Sequence, residues 1–202
     1  MIKVLFVCHG NICRSPMAEF VMKDIVNKQG LADLFLIESA ATSTEEIWNG
    51  VGNPVYPPAK EKLRQMGIGT EDNELGVGKK RARQTTREDY NKYDFIIGMD
   101  STNIRYMERI YGGDRDKKLY KMLEFADSSD KRYGCDVADP WYTGNFDATW
   151  DDVSLGCHGL FRYILTSQKW LPLFEKEGYS TEDDNFSEAD NESLRYDDFP
   201  RG

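Results

Sequence analysis

The chain has 202 residues, 35 acidic against 26 basic for a formal charge of −9, with two histidines and four cysteines. That length suits about one domain, and the acidic balance argues against a protein that coats nucleic acid or inserts at an anionic membrane, since both recruit clustered Lys and Arg. His9 and His158 cannot build a three-histidine metal site, and four cysteines are too few for a disulfide scaffold. No metal or cofactor is expected, and a cytoplasmic chain with reduced thiols is.

Ile2–Val7 is almost continuously apolar and rich in β-branched residues, the pattern of a strand buried on both faces of a parallel sheet. In chain order there follow a helix over Pro16–Lys28, a strand over Leu34–Ile37, a helix over Pro58–Met66, a strand over Phe95–Met99 and a helix over Ser101–Tyr111. A less clean strand spans Leu119–Phe125, and a long last helix runs from about Asp151 to Glu175. There Val153, Cys157, Leu160, Phe161, Ile164 and Leu165 recur at helical spacing as a core-facing stripe. This alternation predicts a parallel α/β sandwich with right-handed crossovers. Residues 42–58 and 127–150 read as irregular loops, and loops beyond the carboxyl ends of such strands are where ligands bind. From Glu175 onward ten acidic residues face three basic ones, so −7 of the charge belongs to this segment and only −2 to the rest. Its composition is that of a flexible tail.

The most informative stretch is Val7-Cys8-His9-Gly10-Asn11-Ile12-Cys13-Arg14-Ser15-Pro16, between the first strand and the first helix. Cys8 ends the strand, Gly10 permits close backbone approach, and Ser15-Pro16 opens a helix with Pro at its first position. The backbone of His9, Gly10, Asn11, Ile12, Cys13 and Ser15 can then converge on a tetrahedral oxyanion at the positive end of the helix. The same field lowers a thiol pKa by several units from its usual ~8.5. Arg14 is a cation set against the helix dipole, a placement that an anion would explain, and its planar fork can hold two phosphoryl oxygens. Cys8 is the candidate nucleophile and Arg14 the candidate phosphate clamp. The plain alternatives are a small buried residue at a strand end and a solvated first-turn side chain. Far along the chain, Asp139-Pro140-Trp141-Tyr142 puts an acid on a stiff loop beside aromatics; a simple turn-opening Asp-Pro pair is the other reading.

The first loop resembles the phosphate-binding loop of the low-molecular-weight protein tyrosine phosphatases. The likeness extends through Ser39-Ala40-Ala41, Trp48-Asn49-Gly50-Val51-Gly52, Ala82-Arg83-Gln84, Asp94 to Asp100 and Asp139 to Tyr142. It implies a small four-stranded parallel sheet flanked by helices on both faces, a phosphatase domain over residues 1–176 and an acidic tail over 177–202. It also implies hydrolysis of phosphotyrosine in proteins through a phosphocysteine, with Asp139 as general acid and then general base. Ser39 and Asp100 match supporting positions, and Trp48, Trp141 and Tyr142 would flank the substrate ring. Asp100 also reads as the cap of the helix that follows it.

Ile12 favours the phosphotyrosine class over the related protein-arginine phosphatases, which resemble this chain but carry Thr there. Arsenate reductases share the fold, yet Cys13, Cys135 and Cys157 lack their relay spacing. A non-catalytic phosphate-binding module would need neither Cys8 nor Asp139. The resemblance further implies that Cys13 can trap oxidised Cys8 as a disulfide; packing under the loop is the alternative. Lys80 stands where many relatives place a His that helps order the loop. In the tail, Tyr179 and Tyr196 have the acidic neighbours that tyrosine kinases accept, though incidental tyrosines in a solvated tail read as well.

Overall fold

The computed structural model describes residues 1–176 and Gly178; the rest of the acidic tail, with Tyr179 and Tyr196, lies outside the described residues. In chain order the elements are β1 Ile2–Cys8, α1 Arg14–Lys28, β2 Phe35–Ala41, β3 Ile47–Trp48, β4 Val51–Gly52, α2 Pro57–Gln65, α3 Arg87–Lys92 and β5 Phe95–Gly98. Then come α4 Ser101–Tyr111, β6 Leu119–Lys121, α5 Pro140–Thr143, α6 Phe146–Thr166 and α7 Leu171–Lys176. By internal contacts the chain divides into two compact units, Met1–Phe161 and Arg162–Gly202. All site residues described below belong to the first.

Four strands pair in the order β2-β1-β5-β6, all parallel, as the alternating pattern predicts. β1 is central, so it must be apolar on both sides. Leu5 and Val7 join Tyr90, Tyr93, Ile96, Met107 and Tyr111 in one core, toward α3 and α4. Ile2, Val4, Phe6 and Cys8, alternate residues of the same strand, point to the opposite face and are also buried. α1 packs against β1 and β2. Cys157 on α6 places its Sγ 3.5 Å from the Ala18 carbonyl of α1. Val153, Cys157, Leu160 and Phe161 are buried as their spacing predicts, and so are Ile164 and Leu165.

Several boundaries differ from the sequence reading. The apolar run 119–125 is a strand only through Lys121, and Met122–Phe125 coil into a 3-10 turn. The last helix begins at Phe146 and stops at Thr166, with a separate short helix at Leu171–Lys176, so the single span from Asp151 to Glu175 is replaced by two pieces. α1 starts at Arg14, which leaves Pro16 third rather than first. Pro is tolerated there because the first-turn N–H groups have no intrahelical partner. Residues 42–58 hold a short antiparallel hairpin, β3 with β4. The six-residue α3 has no apolar periodicity to betray it; it is fixed by Asp89, which accepts the Thr86 N–H at 2.9 Å.

Candidate active site

Register alone brings the candidate residues to one edge of the sheet. Cys8 ends β1 beside Ala41, the last residue of β2, while Asp100 follows β5 on the other side. The four strands of this sheet being parallel, their carboxyl ends share that edge.

Between β1 and α1 the chain makes a tight loop around the sulfur. The Asn11 N–H donates to Cys8 Sγ at 3.3 Å, and Ser15 Oγ lies 3.0 Å from it. Asn11 adopts a left-handed backbone, φ 57°, unusual for a residue with a Cβ. Its side chain accounts for that: Nδ2 donates to Ser15 Oγ at 3.0 Å and to Ser39 Oγ at 2.7 Å, while Oδ1 accepts the Arg83 N–H at 3.2 Å. A Cβ at Gly10 would lie 2.9 Å from Glu46 Cγ, so a side chain there would push the Glu46 side chain aside. Ile12 and Cys13 are buried with Ala82, and Ile47, Tyr56 and Phe146 pack against them. His9 does not face the sulfur; its ring is half-exposed, with Nε2 2.9 Å from Glu45 Oε2.

Below the loop lies a buried charge cluster. Ser39 Oγ donates to Glu19 Oε2 at 2.6 Å, and Glu19 also meets Lys80 Nζ at 2.8 Å and Lys23 Nζ at 2.6 Å. Lys80 Nζ also donates to the Ser39 carbonyl at 2.9 Å. Burial disfavours charge on both Glu19 and Lys80. For Glu19 the Lys80 and Lys23 ammonium groups outweigh burial and hold its pKa below the ordinary value. For Lys80 burial prevails over its single carboxylate partner, helped by nearby Arg83 and Lys23, and its pKa falls. The sequence flags Lys80 but not Glu19; the signal was a carboxylate within the otherwise apolar stretch Met17–Met22.

Arg14 is buried at the first position of α1 and joins two carboxylates from distant segments. Nη1 donates to Asp100 Oδ2 at 2.7 Å, and Nη2 forms an ion pair with Asp139 Oδ2 at 2.5 Å. Burial opposes its charge, but Cys8, Asp139 and Asp100 more than offset this and raise its pKa. Asp100 does carry the capping role as well, its Oδ1 accepting the Asn103 N–H at 2.6 Å at the head of α4. Asp139 caps α5 by accepting the Trp141 N–H at 3.0 Å. Each Asp therefore combines a helix-capping contact with an ion pair to Arg14.

Trp48, Trp141 and Tyr142 are all exposed, at 70%, 62% and 86%. Their two segments are tied to the loop. Thr42 and Ser43 donate backbone N–H groups to the Cys8 and His9 carbonyls at 2.9 and 3.0 Å, and the hairpin carrying Trp48 follows directly. Tyr56, which the sequence reading passed over, donates its N–H to the Ile12 carbonyl at 2.9 Å, and its ring lies tilted 5.9 Å from that of Trp141.

Comparison with known proteins agrees with this arrangement. A family model for low molecular weight phosphotyrosine protein phosphatase matches residues 3–169. The low molecular weight protein-tyrosine-phosphatase YfkJ of Bacillus subtilis is 38% identical over 164 residues, which cover 81% of this chain and 96% of YfkJ. The low molecular weight phosphotyrosine protein phosphatase of Sus scrofa is 38% identical over 163 residues, covering 80% of this chain and 94% of the relative. The crystal structure of YfkJ aligns with a TM-score of 0.72 at 35% identity, over 83% of this chain and 97% of that one. A parallel four-stranded sheet, a Cys-x5-Arg turn at its edge and a family match across most of the chain converge on one statement: this chain belongs to the low molecular weight phosphotyrosine protein phosphatase family.

Proposed function

We propose that the chain hydrolyses phosphotyrosine in proteins, and aryl phosphate monoesters generally, with Cys8 as nucleophile, Arg14 as phosphate clamp and Asp139 as general acid and base. The observation that carries the reading is the pair of contacts from Arg14 to Asp100 and Asp139, which ties the turn after Cys8 to an acid from far along the chain. In the first step the Cys8 thiolate attacks phosphorus, the bond to the aryl oxygen breaks, and the proton of Asp139 passes to the leaving phenol. Arg14 and the loop N–H groups balance charge on the equatorial oxygens. In the second step water loses a proton to the Asp139 carboxylate and attacks phosphorus, the P–S bond breaks, and inorganic phosphate departs with Cys8 restored. Guanidinium carries five donors, so Arg14 can hold Asp100 and still meet a phosphoryl group.

The exposed aromatic side chains of Trp48, Trp141 and Tyr142 support a planar substrate group, because apolar rings presented to water at two segments beside one loop offer stacking surface. The natural targets are therefore phosphotyrosyl proteins rather than small alkyl phosphates.

The test is turnover of 4-nitrophenyl phosphate and a phosphotyrosyl peptide, in chelator-treated buffer, by the unaltered protein, Cys8→Ser and Asp139→Asn. Cys8→Ser is expected to lose several orders of magnitude on both substrates, and Asp139→Asn about 10²-fold or more on the phosphotyrosyl peptide, whose leaving phenol needs the proton, with a smaller loss on 4-nitrophenyl phosphate. The assignment would be falsified if Cys8→Ser kept full turnover. A phosphoarginine peptide in the same assay is expected to be the poorer substrate; if it is preferred, the phosphotyrosine reading falls and an arginine phosphatase replaces it.

A further inference from the structure

Asp139 can serve as proton donor only if its loop is held still, and residues 136–138 are fastened at every step. Asp136 Oδ1 accepts the Ser101 N–H at 3.1 Å and Lys121 Nζ at 3.0 Å. The Val137 N–H donates to the Met99 carbonyl at 2.8 Å, extending the line of β5. The decisive contact is at Ala138, the residue just before the acid. Its N–H donates to Asp152 Oδ2 at 3.0 Å, and its carbonyl accepts the Thr149 hydroxyl at 2.9 Å. Both partners stand on α6, one turn apart, so a single rigid helix grips both polar groups of one residue.

Thr149 is fully buried, and a helical threonine ordinarily turns its hydroxyl back to the carbonyl four residues earlier. Here that carbonyl, of Asn145, lies at 3.2 Å, farther than the Ala138 oxygen. Asp152 is itself steadied by Arg132, whose Nη1 lies 3.7 Å from Oδ1. Neither α6 side chain reaches Cys8 or Arg14 in any contact of the site.

We infer that Thr149 and Asp152 are positioning residues for proton transfer: by clamping the Ala138 peptide groups they set where the Asp139 carboxyl stands relative to a departing phenolic oxygen. This rests on the reading of Asp139 as general acid. Proton donation matters most when the leaving group is a poor one. An alkoxide-like phenolate needs the proton as the P–O bond breaks, whereas 4-nitrophenolate departs readily without it. A displacement of about 1 Å at a catalytic group can cost up to ~10²-fold, so loosening the clamp should show as dependence on the leaving group.

The experiment compares kcat/KM for phenyl phosphate and 4-nitrophenyl phosphate in Thr149→Val, Thr149→Ser, Asp152→Ala and Asp139→Asn, with inhibition by inorganic phosphate as a readout of the Cys8–Arg14 loop. Thr149→Val and Asp152→Ala are expected to lose about tenfold with phenyl phosphate and no more than about threefold with 4-nitrophenyl phosphate, with phosphate inhibition unchanged. Thr149→Ser, which keeps the hydroxyl, should restore the ratio. Equal losses on both esters, or no rescue by serine, would overturn the positioning role, since a merely structural defect depresses both. If Asp139→Asn itself shows no leaving-group dependence, the general-acid reading is at fault instead. Should Thr149→Val fail to fold, the two-ester ratio in Asp152→Ala decides alone.

Discussion

Asn11 and Ser39 are joined by a 2.7 Å hydrogen bond that fastens a left-handed loop residue to the second strand. Through Ser39 the link continues to Glu19 and Lys80, so a buried ion pair supports the loop around Cys8 in addition to its backbone hydrogen bonds. Asn11→Ala is expected to lose about 1–3 kcal/mol of stability by urea denaturation, because it combines lost hydrogen bonds with a strained φ. Its kcat/KM should fall about tenfold or more. Asn11→Gly tolerates the backbone but lacks the side chain; full activity in that variant would show that conformation, and not the network, is what counts.

The Glu19–Lys80 pair makes a second prediction. Removing one partner leaves a buried charge, so Lys80→Met should cost about 3 kcal/mol, moderated by the remaining Lys23 contact. The double variant Glu19→Gln with Lys80→Met should recover much of that loss. In the folded protein the Glu19 pKa lies below its ordinary value of 4.5. A depressed carboxylate contributes stability that is present above its unfolded pKa and is lost as pH falls through the folded one. Acid should therefore destabilise the unaltered protein more steeply below about pH 4.5 than it does Glu19→Gln. Parallel denaturation curves at pH 7 and pH 3 would contradict this.

Cys13 is buried, and its thiol is pushed up to about 12, first by desolvation and then by the nearby Cys8 and Asp139. It should stay protonated at neutral pH. Iodoacetamide at pH 7.5 is expected to label the exposed Cys135 while sparing Cys13, as mass spectrometry of peptides would show. Peroxide is expected to oxidise Cys8 to the sulfenic acid, itself being reduced to water. The Cys13 thiol then attacks that sulfur as it gives up its proton, an S–S bond forms, and the hydroxyl leaves as water. Inactivation should thus be reversible by dithiol, with closure faster as pH rises from 7 toward 9. Equal recovery in Cys13→Ser would remove Cys13 from this role.

Gly159 lies on the face of α6 that meets the 3-10 turn after β6. A Cβ at that position would sit 1.8 Å from the Phe125 carbonyl oxygen, and one at Gly156 would sit 2.8 Å from the Met122 oxygen. Gly159→Ala is consequently expected to destabilise by about 3 kcal/mol or more despite the better helix propensity of alanine, because backbone must move. A variant melting at or above the temperature of the unaltered protein would show that α6 can slide without cost.

The parallel four-stranded sheet and the turn singled out after its first strand were both legible in the chain, for different reasons. β1 reads as a buried strand because Ile2 to Val7 has no polar face except Lys3, and the turn after it reads as an anion site because Cys8, Gly10 and Arg14 each suit few other local environments. Elements that owe their shape to partners elsewhere were not legible. The run from Leu119 ends as a strand at Lys121 because the β5 residues pairing with it stop at Gly98, a limit no local propensity encodes. Gly156 and Gly159, three apart inside a helix, were the unused signal that α6 lies close against another backbone.

By itself the sequence determined an α/β chain with apolar central strands, a cysteine and arginine bracketing a helix-opening turn, and an acid before proline far downstream. Local chemistry suffices for these, since hydrophobic period and turn composition act over a few residues. Only the tertiary structure decided that Asp100 and Asp139 meet on one guanidinium, that Glu19 with Lys80 underlies Ser39 and Asn11, and that Thr149 and Asp152 grip Ala138. Each pairing joins residues distant in sequence through strand register and helix docking. Motif and resemblance could single out Asp100 and Asp139 among many acidic side chains, but only that placement shows which contacts they make.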